Sequence, residues 1–423
     1  MSPTKTLVSA LALFSLLLAS PRARAQTVAP QPLTKPAVAS PIVPTARLAQ
    51  KFDPAQNFDR EVRLMFRMIA CAGNEPVPTA LQAVVAAHCE AFQPTIDSYK
   101  TKYVPLAQPF LASLQPKGLS ETIVYPFGGG DLLSALTTYP NLKEVTTLSL
   151  EHVGDPRIID GISAKDLELG LQRVRRRVSG LLIWTESTSE NMIQLEAGDI
   201  PGQLSFFLVG LAVHDQEPVG LRFFDIAPDG SVQGISAHQI EARRKHVASK
   251  LNRIWKAPSF SDAFSNSEIT FRKAGDPKAP LRIHRHIAAD LSNAGFKKDP
   301  EILRYLHLRG QISAMTKAAS YLLWSGDFSS VRNYLLASMD FMLSDSTGIP
   351  PQYSRAAGFE VVAYGKYKGP FLPAPSAAAK DMLDLYTTQA ENALQFRYGY
   401  PDNNHHDHLM VVRKAEKQQA HAH

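Results

Sequence analysis

A chain of 423 residues, 44% of them apolar, is long enough to bury a large core. Its formal charge of +6 falls to +3 without the first 25 residues, which hold Lys5, Arg22 and Arg24 and no acid; so small an excess does not call for a nucleic-acid partner. Past that segment no apolar run reaches the ~20 residues of a membrane span, and the longest, Leu204–Val213, is a core segment.

Lys5, the apolar run Leu7–Ala19 and Ala23-Arg24-Ala25 form a signal-peptide pattern over residues 1–25, with an uncleaved anchor as the alternative. No cysteine follows the run, so a lipoprotein anchor is not indicated. The expected location is exported, periplasmic or secreted. Residues 26–50, with Pro30, Pro32, Pro36, Pro41 and Pro44, read as a disordered Pro-rich linker. Residues 51–412 read as a single elaborated α/β domain, and 413–423 as a disordered tail.

Within the domain, residues 51–118 form a helical lead-in. Asp59 is placed to cap a helix through Val62, Met65, Phe66 and Ile69, ending at Gly73-Asn74. A second runs from Thr79 through Leu81, Val84, Val85 and His88 towards Ile96. Cys71 and Cys89, alone in an oxidising compartment, are expected to pair, and the short loop makes the bridge worth about 3 kcal/mol. Without a CxxC or ligand-spaced histidines, no metal is expected there.

Residues 119–295 form a sheet region. Ile123–Phe127 is a short strand, Gly128-Gly129-Gly130 breaks it, and Asp131 opens a helix through Leu132, Leu133, Leu136 and Tyr139. Pro140-Asn141 ends that helix, and Val145–Leu150 is a second strand closed by Glu151. Strand, crossover helix and strand of this length make a parallel βαβ unit. A helix follows over Asp166–Ile183, whose Arg173, Arg175, Arg176 and Arg177 read as a solvated face. Gly202–Asp215 is a buried helix or a buried strand; its periodicity does not decide. Leu221–Ile226 is a strand turning at Pro228-Asp229-Gly230, and Ile269–Arg272 with Leu281–Ile287 form an antiparallel pair around Gly275-Asp276-Pro277. His284 and His286 alternate on one strand near Asp290, but with Arg282 on the same face they read as surface polarity, not a metal site.

Residues 296–412 read as a helical portion. Asp299-Pro300 is a start signal, and Ile302, Leu303, Leu306, Ile312, Met315, Ala319, Leu322 and Leu323 form a stripe broken at Gly310. Ser329 begins a helix with Val331, Leu335, Met339 and Met342 inward, and Asp345-Ser346-Thr347-Gly348 reads as its stop, with no base identifiable for Ser346. Phe359–Tyr367 is a strand or hairpin arm, Lys380–Leu394 a helix, and Val411-Val412 an edge strand. His405, His406, Asp407 and His408 lie in a flexible end and offer adventitious metal binding at best.

The candidate ligand-binding residues are Gly128, Gly129, Gly130, Asp131 and Glu151. Glycines between strand and helix admit a ligand to the backbone, and an acid about 20 residues on is placed for a ribose. The segment resembles the first half of a Rossmann-like domain, including the glycine loop and ribose acid of class I methyltransferases. It departs from them in lacking G-x-G-x-x-G, in carrying Pro126-Phe127 where an acid is usual, and in placing Asp131 where it caps the helix itself. The blocks YPFGGGDLLSA, LSLEHVG, DLSNAG, KAASYLLW, FSSVRNYLL and DSTGIPPQY, spread from Thr122 to Tyr367, are similar to a family of exported bacterial proteins of uncharacterised function, in which a second acid often replaces Thr347. That resemblance implies a single exported globular unit and no reaction.

The expected fold is α/β: a Rossmann-like sheet with added antiparallel strands, a helical N-terminal hairpin and a helical C-terminal portion. The expected function is binding of a protein or small-molecule partner through a degenerate Rossmann-like scaffold, without a cofactor. The alternative is an enzyme, methyltransferase-like or a hydrolase, with its site near Gly128–Asp131 and Glu151. An enzyme requires an open cleft there on which Glu151, Asp290 or another acid converges; a structural turn requires Phe127 or its neighbours to fill it.

Overall fold

The computed structural model describes residues 57–183, 200–244, 262–369, 376–399 and 407–414. The expected signal peptide, the Pro-rich linker, His405, His406 and the tail from 415 lie outside them. In chain order, α1 (Asp59–Ile69), α2 (Gln82–Ser98) and α3 (Val104–Ser113) lead in, with a π-helical turn at Tyr99–Tyr103 joining the last two. Then come β1 (Thr122–Pro126), α4 (Leu132–Thr138), β2 (Glu144–Ser149), α5 (Ala164–Ile183) and α6 (Gly202–Val213). The antiparallel part holds β3 (Gln216–Ile226), β4 (Val232–Gly234), α7 (Ala237–Arg244), β5 (Ser267–Lys273) and β6 (Arg282–Ala288). The C-terminal third holds α8 (Asn293–Lys298), α9 (Pro300–His307), β7 (Ile312–Thr316), α10 (Ser329–Ser338), β8 (Met339–Ser344), α11 (Pro351–Ala356), β9 (Phe359–Gly365), α12 (Ala377–Thr388) and β10 (His408–Lys414).

All ten strands join one sheet in the order β4-β3-β5-β6-β2-β1-β7-β8-β10-β9. The middle five, β6, β2, β1, β7 and β8, run parallel. The β3-β4-β5 set and the β10-β9 pair add antiparallel strands on either side. The protein is thus α/β with added antiparallel strands. Thr122–Pro126 pairs in register with Glu144–Leu148, which makes the expected βαβ unit.

Alternation along the strands sends side chains to two cores. Ile123, Tyr125 and Val145 pack with the helices that include α1 and α6, whereas Val124, Leu148 and Ala314 pack with α9, α10 and α12. A parallel sheet covered on both faces has near-continuous apolar strands, and here the helical reading of the C-terminal third is corrected. Ile312 and Met315 lie on β7, and Met339 and Met342 on β8, so this third supplies four strands as well as helices. Gly310, at φ +66°, is the turn into β7.

Other details also differ. Gly202–Val213 is a helix, buried on all sides except at Ala212. Asp59 does not cap α1: its amide donates to Asn57 Oδ1 at 2.8 Å, and its own carboxylate accepts from the Leu221 amide on β3 at 3.2 Å. Val411 and Val412 are not on an edge, since β10 lies between β8 and β9, and Arg413 belongs to that strand rather than to a tail. Cys71 and Cys89 form the expected disulfide, with Cα atoms 5.3 Å apart. Among the described residues no helix is long and apolar enough to cross a membrane.

Candidate functional site

The strand order reverses between β1 and β7, and the loops at their carboxyl ends part there. Phe127 takes φ +61° and Gly129 φ +49° as the chain leaves β1. A positive φ on a bulky residue is uncommon and costs about 1–3 kcal/mol; here it turns the Phe127 ring edge-on to Phe328, centroids 5.8 Å apart. Gly128 is pressed on the Tyr125 ring, where a Cβ would stand 2.6 Å from the ring carbon Cγ.

A cleft of about 150 Å³ opens above this turn. Gly128 and Gly129 line it from β1, Ser149, Leu150 and Glu151 from β2, Asp290 and Leu291 from β6, and Lys317, Leu322 and Phe328 from the segment after β7. Phe127 forms part of the wall and leaves the cleft open. Of the five sequence candidates, Gly128, Gly129 and Glu151 line it and Gly130 and Asp131 do not. Asp131 is buried and turned inward: Oδ1 accepts from the Ser134 amide at 3.1 Å and Oδ2 from the Tyr125 hydroxyl at 3.0 Å. It caps α4, as its position after the glycines requires.

The most informative residues were not among the candidates. Gln203, in the first turn of α6, is 0% exposed, and neither atom of its amide has a hydrogen-bond partner among the described residues; the Ser149 hydroxyl has none either. A methyl group built on Gly129 would stand 3.8 Å from Gln203 Nε2 and 4.0 Å from both Glu151 Oε2 and Ser149 Oγ. Buried polar groups are nearly always paired, so the unpartnered Gln203 amide and Ser149 hydroxyl beside Gly129 stand out; Ser149 and Glu151 line the cleft, while Gln203 is fully buried and does not. Gln203 carries a sequence signal, since it is a lone amide opening an otherwise apolar helix; its convergence with Ser149 depends on the tertiary fold.

Lys317 supplies the one positive charge among the lining residues. Its Nζ donates to Ser134 Oγ at 3.1 Å and stands 5.3 Å from the centroid of the Tyr398 ring. Burial pushes its pKa below the usual lysine value; Arg397 adds to the effect, while Asp131 and Asp345 oppose it.

Beneath Glu151 lies a chain of neutral histidines. His286 Nε2 lies 2.8 Å from the Glu151 carbonyl, which accepts its proton, so His286 Nδ1 is the acceptor. Thr147 Oγ1, 3.0 Å away, donates to it and in turn accepts from His284 Nε2 at 2.9 Å. Burial lowers the His286 pKa to about 4 and holds that of His284 well below its ordinary value. The expectation of surface polarity is therefore corrected: both rings are fully buried, and they face one side as the alternation requires.

The other candidates are structural. His88, Cys71 and Cys89 bring ligand atoms within 4.8 Å of one another, but the sulfurs are bonded together. The two His88 nitrogens lie 2.9 Å from the Ile69 carbonyl and 3.0 Å from the Arg175 guanidinium. Asp345-Ser346-Thr347-Gly348 follows a strand, not a helix. Asp345 Oδ1 accepts from the Thr347 amide and hydroxyl, and the Ser346 amide donates to His408 Nδ1 at 3.2 Å. His408 is thus a buried part of β10, not of a flexible end. No protein-family model, curated protein or solved structure matches the chain.

Proposed function

We propose that this protein binds a small hydroxylated ligand of the nucleoside class in the cleft at the carboxyl ends of β1, β2, β6 and β7. The observation that carries the reading is the unpartnered Gln203 amide and Ser149 hydroxyl, facing Gly129 beside Glu151. The Glu151 carboxylate and the Ser149 hydroxyl suit neighbouring hydroxyl groups, with the Gln203 amide close behind Gly129, while Leu150, Leu291 and the Phe127 and Phe328 rings offer apolar walls to a flat ring. Two carboxylates, Glu151 and Asp290, against one ammonium disfavour a polyphosphate.

The strand order supports the same reading. Counted along the chain, the five parallel strands lie 3-2-1-4-5 across the sheet, and in such sheets ligands bind at the point of reversal. An enzyme acting in this cleft is the second reading, favoured by the convergence of Glu151 and Asp290 on open space.

Isothermal titration with adenosine as probe tests the first reading. Binding that is lost in Glu151→Ala and Gln203→Leu, with melting unchanged, is the expected result; no binding, or binding indifferent to both, overturns it. Release of a chemically altered probe marks the enzyme. We propose too that the chain is exported, supported by the signal-peptide pattern and compatible with the disulfide; an intact mass starting at Gln26 tests it.

A further inference from the structure

A second cavity, of about 280 Å³, lies at the amino ends of β2, β3 and β6, the opposite end of these strands from the cleft. Arg282, the first residue of β6, lines it. Its Nη1 donates to the Pro140 carbonyl at 2.9 Å. The N–H groups on Nε and Nη2 have no acceptor among the described residues, and they are not sealed from solvent. Glu121 attracts the guanidinium from beyond ion-pair distance and is itself paired with Lys143. Arg332 also lacks a carboxylate, but it donates to two carbonyls and stands 4.0 Å from the centroid of the Tyr353 ring. Among the described residues Arg282 has neither a second carbonyl nor a ring.

Two more groups line the same cavity from the turn between α6 and β3. The Asp215 carboxylate accepts from Lys100 Nζ at 2.6 Å; these two charges offset each other and leave that of Arg282 unmatched. His214 Nε2 lies 2.9 Å from Thr137 Oγ1 and 3.3 Å from the Leu133 carbonyl. A carbonyl only accepts, so Nε2 carries the proton. Desolvation lowers the His214 pKa to about 4, so the ring is neutral at neutral pH and Nδ1 holds a lone pair. That atom has no donor among the described residues and is open to solvent as well.

We propose that this second cavity binds an α-amino acid with an apolar side chain: its carboxylate docks on the Nε–Nη2 edge of Arg282, its ammonium donates to His214 Nδ1 beside Asp215, and its side chain lies against Val104, Leu136 and Val213. That edge of a guanidinium presents two parallel N–H groups, which a carboxylate accepts as a pair. A phosphate monoester fits less well. Its second charge would meet the Asp215 carboxylate with no cation left to match it, and His214 Nδ1 would still lack a donor. The site stands apart from the cleft and does not depend on how the cleft is read.

Isothermal titration of the full chain with L-leucine, L-leucinamide and 4-methylpentanoate tests each contact. The amide lacks the carboxylate and the acid lacks the ammonium. L-leucine is expected to bind, and each of the other two roughly tenfold more weakly, as the loss of one charge-assisted hydrogen bond allows. In Arg282→Met, L-leucine is expected to fall to the level of L-leucinamide while melting is unchanged. No binding of L-leucine overturns the proposal. Equal binding of L-leucinamide, or L-leucine binding that survives Arg282→Met, overturns the docking on Arg282; equal binding of 4-methylpentanoate overturns the contact with His214. Should Arg282→Met fail to fold, the three compounds on the unmodified protein decide by themselves.

Discussion

The Glu151 carbonyl accepts a hydrogen bond from His286 Nε2 at 2.8 Å, so the residue closing β2 is held from below by a side chain of β6. Removing the histidine leaves the Glu151 carbonyl without its partner and the Thr147 hydroxyl, which keeps His284, with no acceptor for its proton. His286→Leu is expected to lower stability by about 1–3 kcal/mol, seen as a shift of the urea midpoint. It is also expected to weaken binding at Glu151 more than His284→Leu does, because His284 reaches Glu151 only through Thr147 and His286. Equal effects of the two changes on binding would show that Glu151 does not depend on the chain.

These imidazoles also set a pH limit. Burial lowers His88, His214 and His286 to about 4 from an ordinary 6.5. The folded values are depressed, so below pH 6.5 the unfolded chain takes up protons that the folded chain refuses. The stabilisation is complete above pH 6.5 and is lost as the pH falls towards 4, by about 1.4 kcal/mol per pH unit for each such proton. Urea midpoints are expected to be flat between pH 7 and 8 and to fall steeply below 6.5. A midpoint unchanged at pH 4.5 would mean that the rings are charged in the fold.

Adjacent glycines in the turn should respond in opposite ways. Alanine at Gly128 drives a methyl into the Tyr125 ring, 2.6 Å away, on a fully buried aromatic with no room to move. About 1–3 kcal/mol of destabilisation is expected from such overpacking. Alanine at Gly129 meets nothing closer than 3.8 Å. Its cost is the positive φ, about 1–2 kcal/mol, but its methyl occupies the corner between Gln203, Ser149 and Glu151. Melting should therefore separate Gly128→Ala less clearly than binding does: Gly129→Ala loses the ligand while keeping the fold.

How much of this was legible follows from where each signal resides. The βαβ unit and the β5–β6 pair were readable because their turns need glycines at positive φ, at Gly129 and Gly275, between strands of ordinary length. Strands β7 and β8 were not, because Ile312–Thr316 and Met339–Ser344 are covered on both faces and lose the alternation that marks a strand. Glu151 was found through its spacing from the glycines. Lys317 and Ser149 were missed because only the sheet order brings the ends of β7 and β2 to the same cleft. His284 and His286 were placed on one face correctly, but that face is interior, under Phe207 of α6, whose ring centroid is 4.3 Å from that of His284.

The last prediction concerns the opposite side of β6, where Arg285 joins Glu144 and Glu268, and Arg309 reaches Glu144 at 2.8 Å. Burial alone would push the Glu144 carboxyl up, but Arg285 and Arg309 outweigh it and hold it below its ordinary value. Its stabilising contribution is present above the ordinary carboxylate range and is lost as the pH falls through the folded value, below the window in which the histidines act. At neutral pH, Arg285→Met strands the buried Glu268 carboxylate and leaves Glu144 to Arg309 alone, and a loss of about 3–5 kcal/mol is expected. The change Arg285→Met, Glu144→Leu and Glu268→Leu, combined with Arg309→Met because Arg309 also pairs with Glu144, removes the cluster's charges together and should recover most of that loss, since well-packed apolar groups replace buried ion pairs at little cost. Urea denaturation of the two variants decides it: a combined variant no more stable than Arg285→Met would show that shape rather than charge holds β6 to β2 and β5.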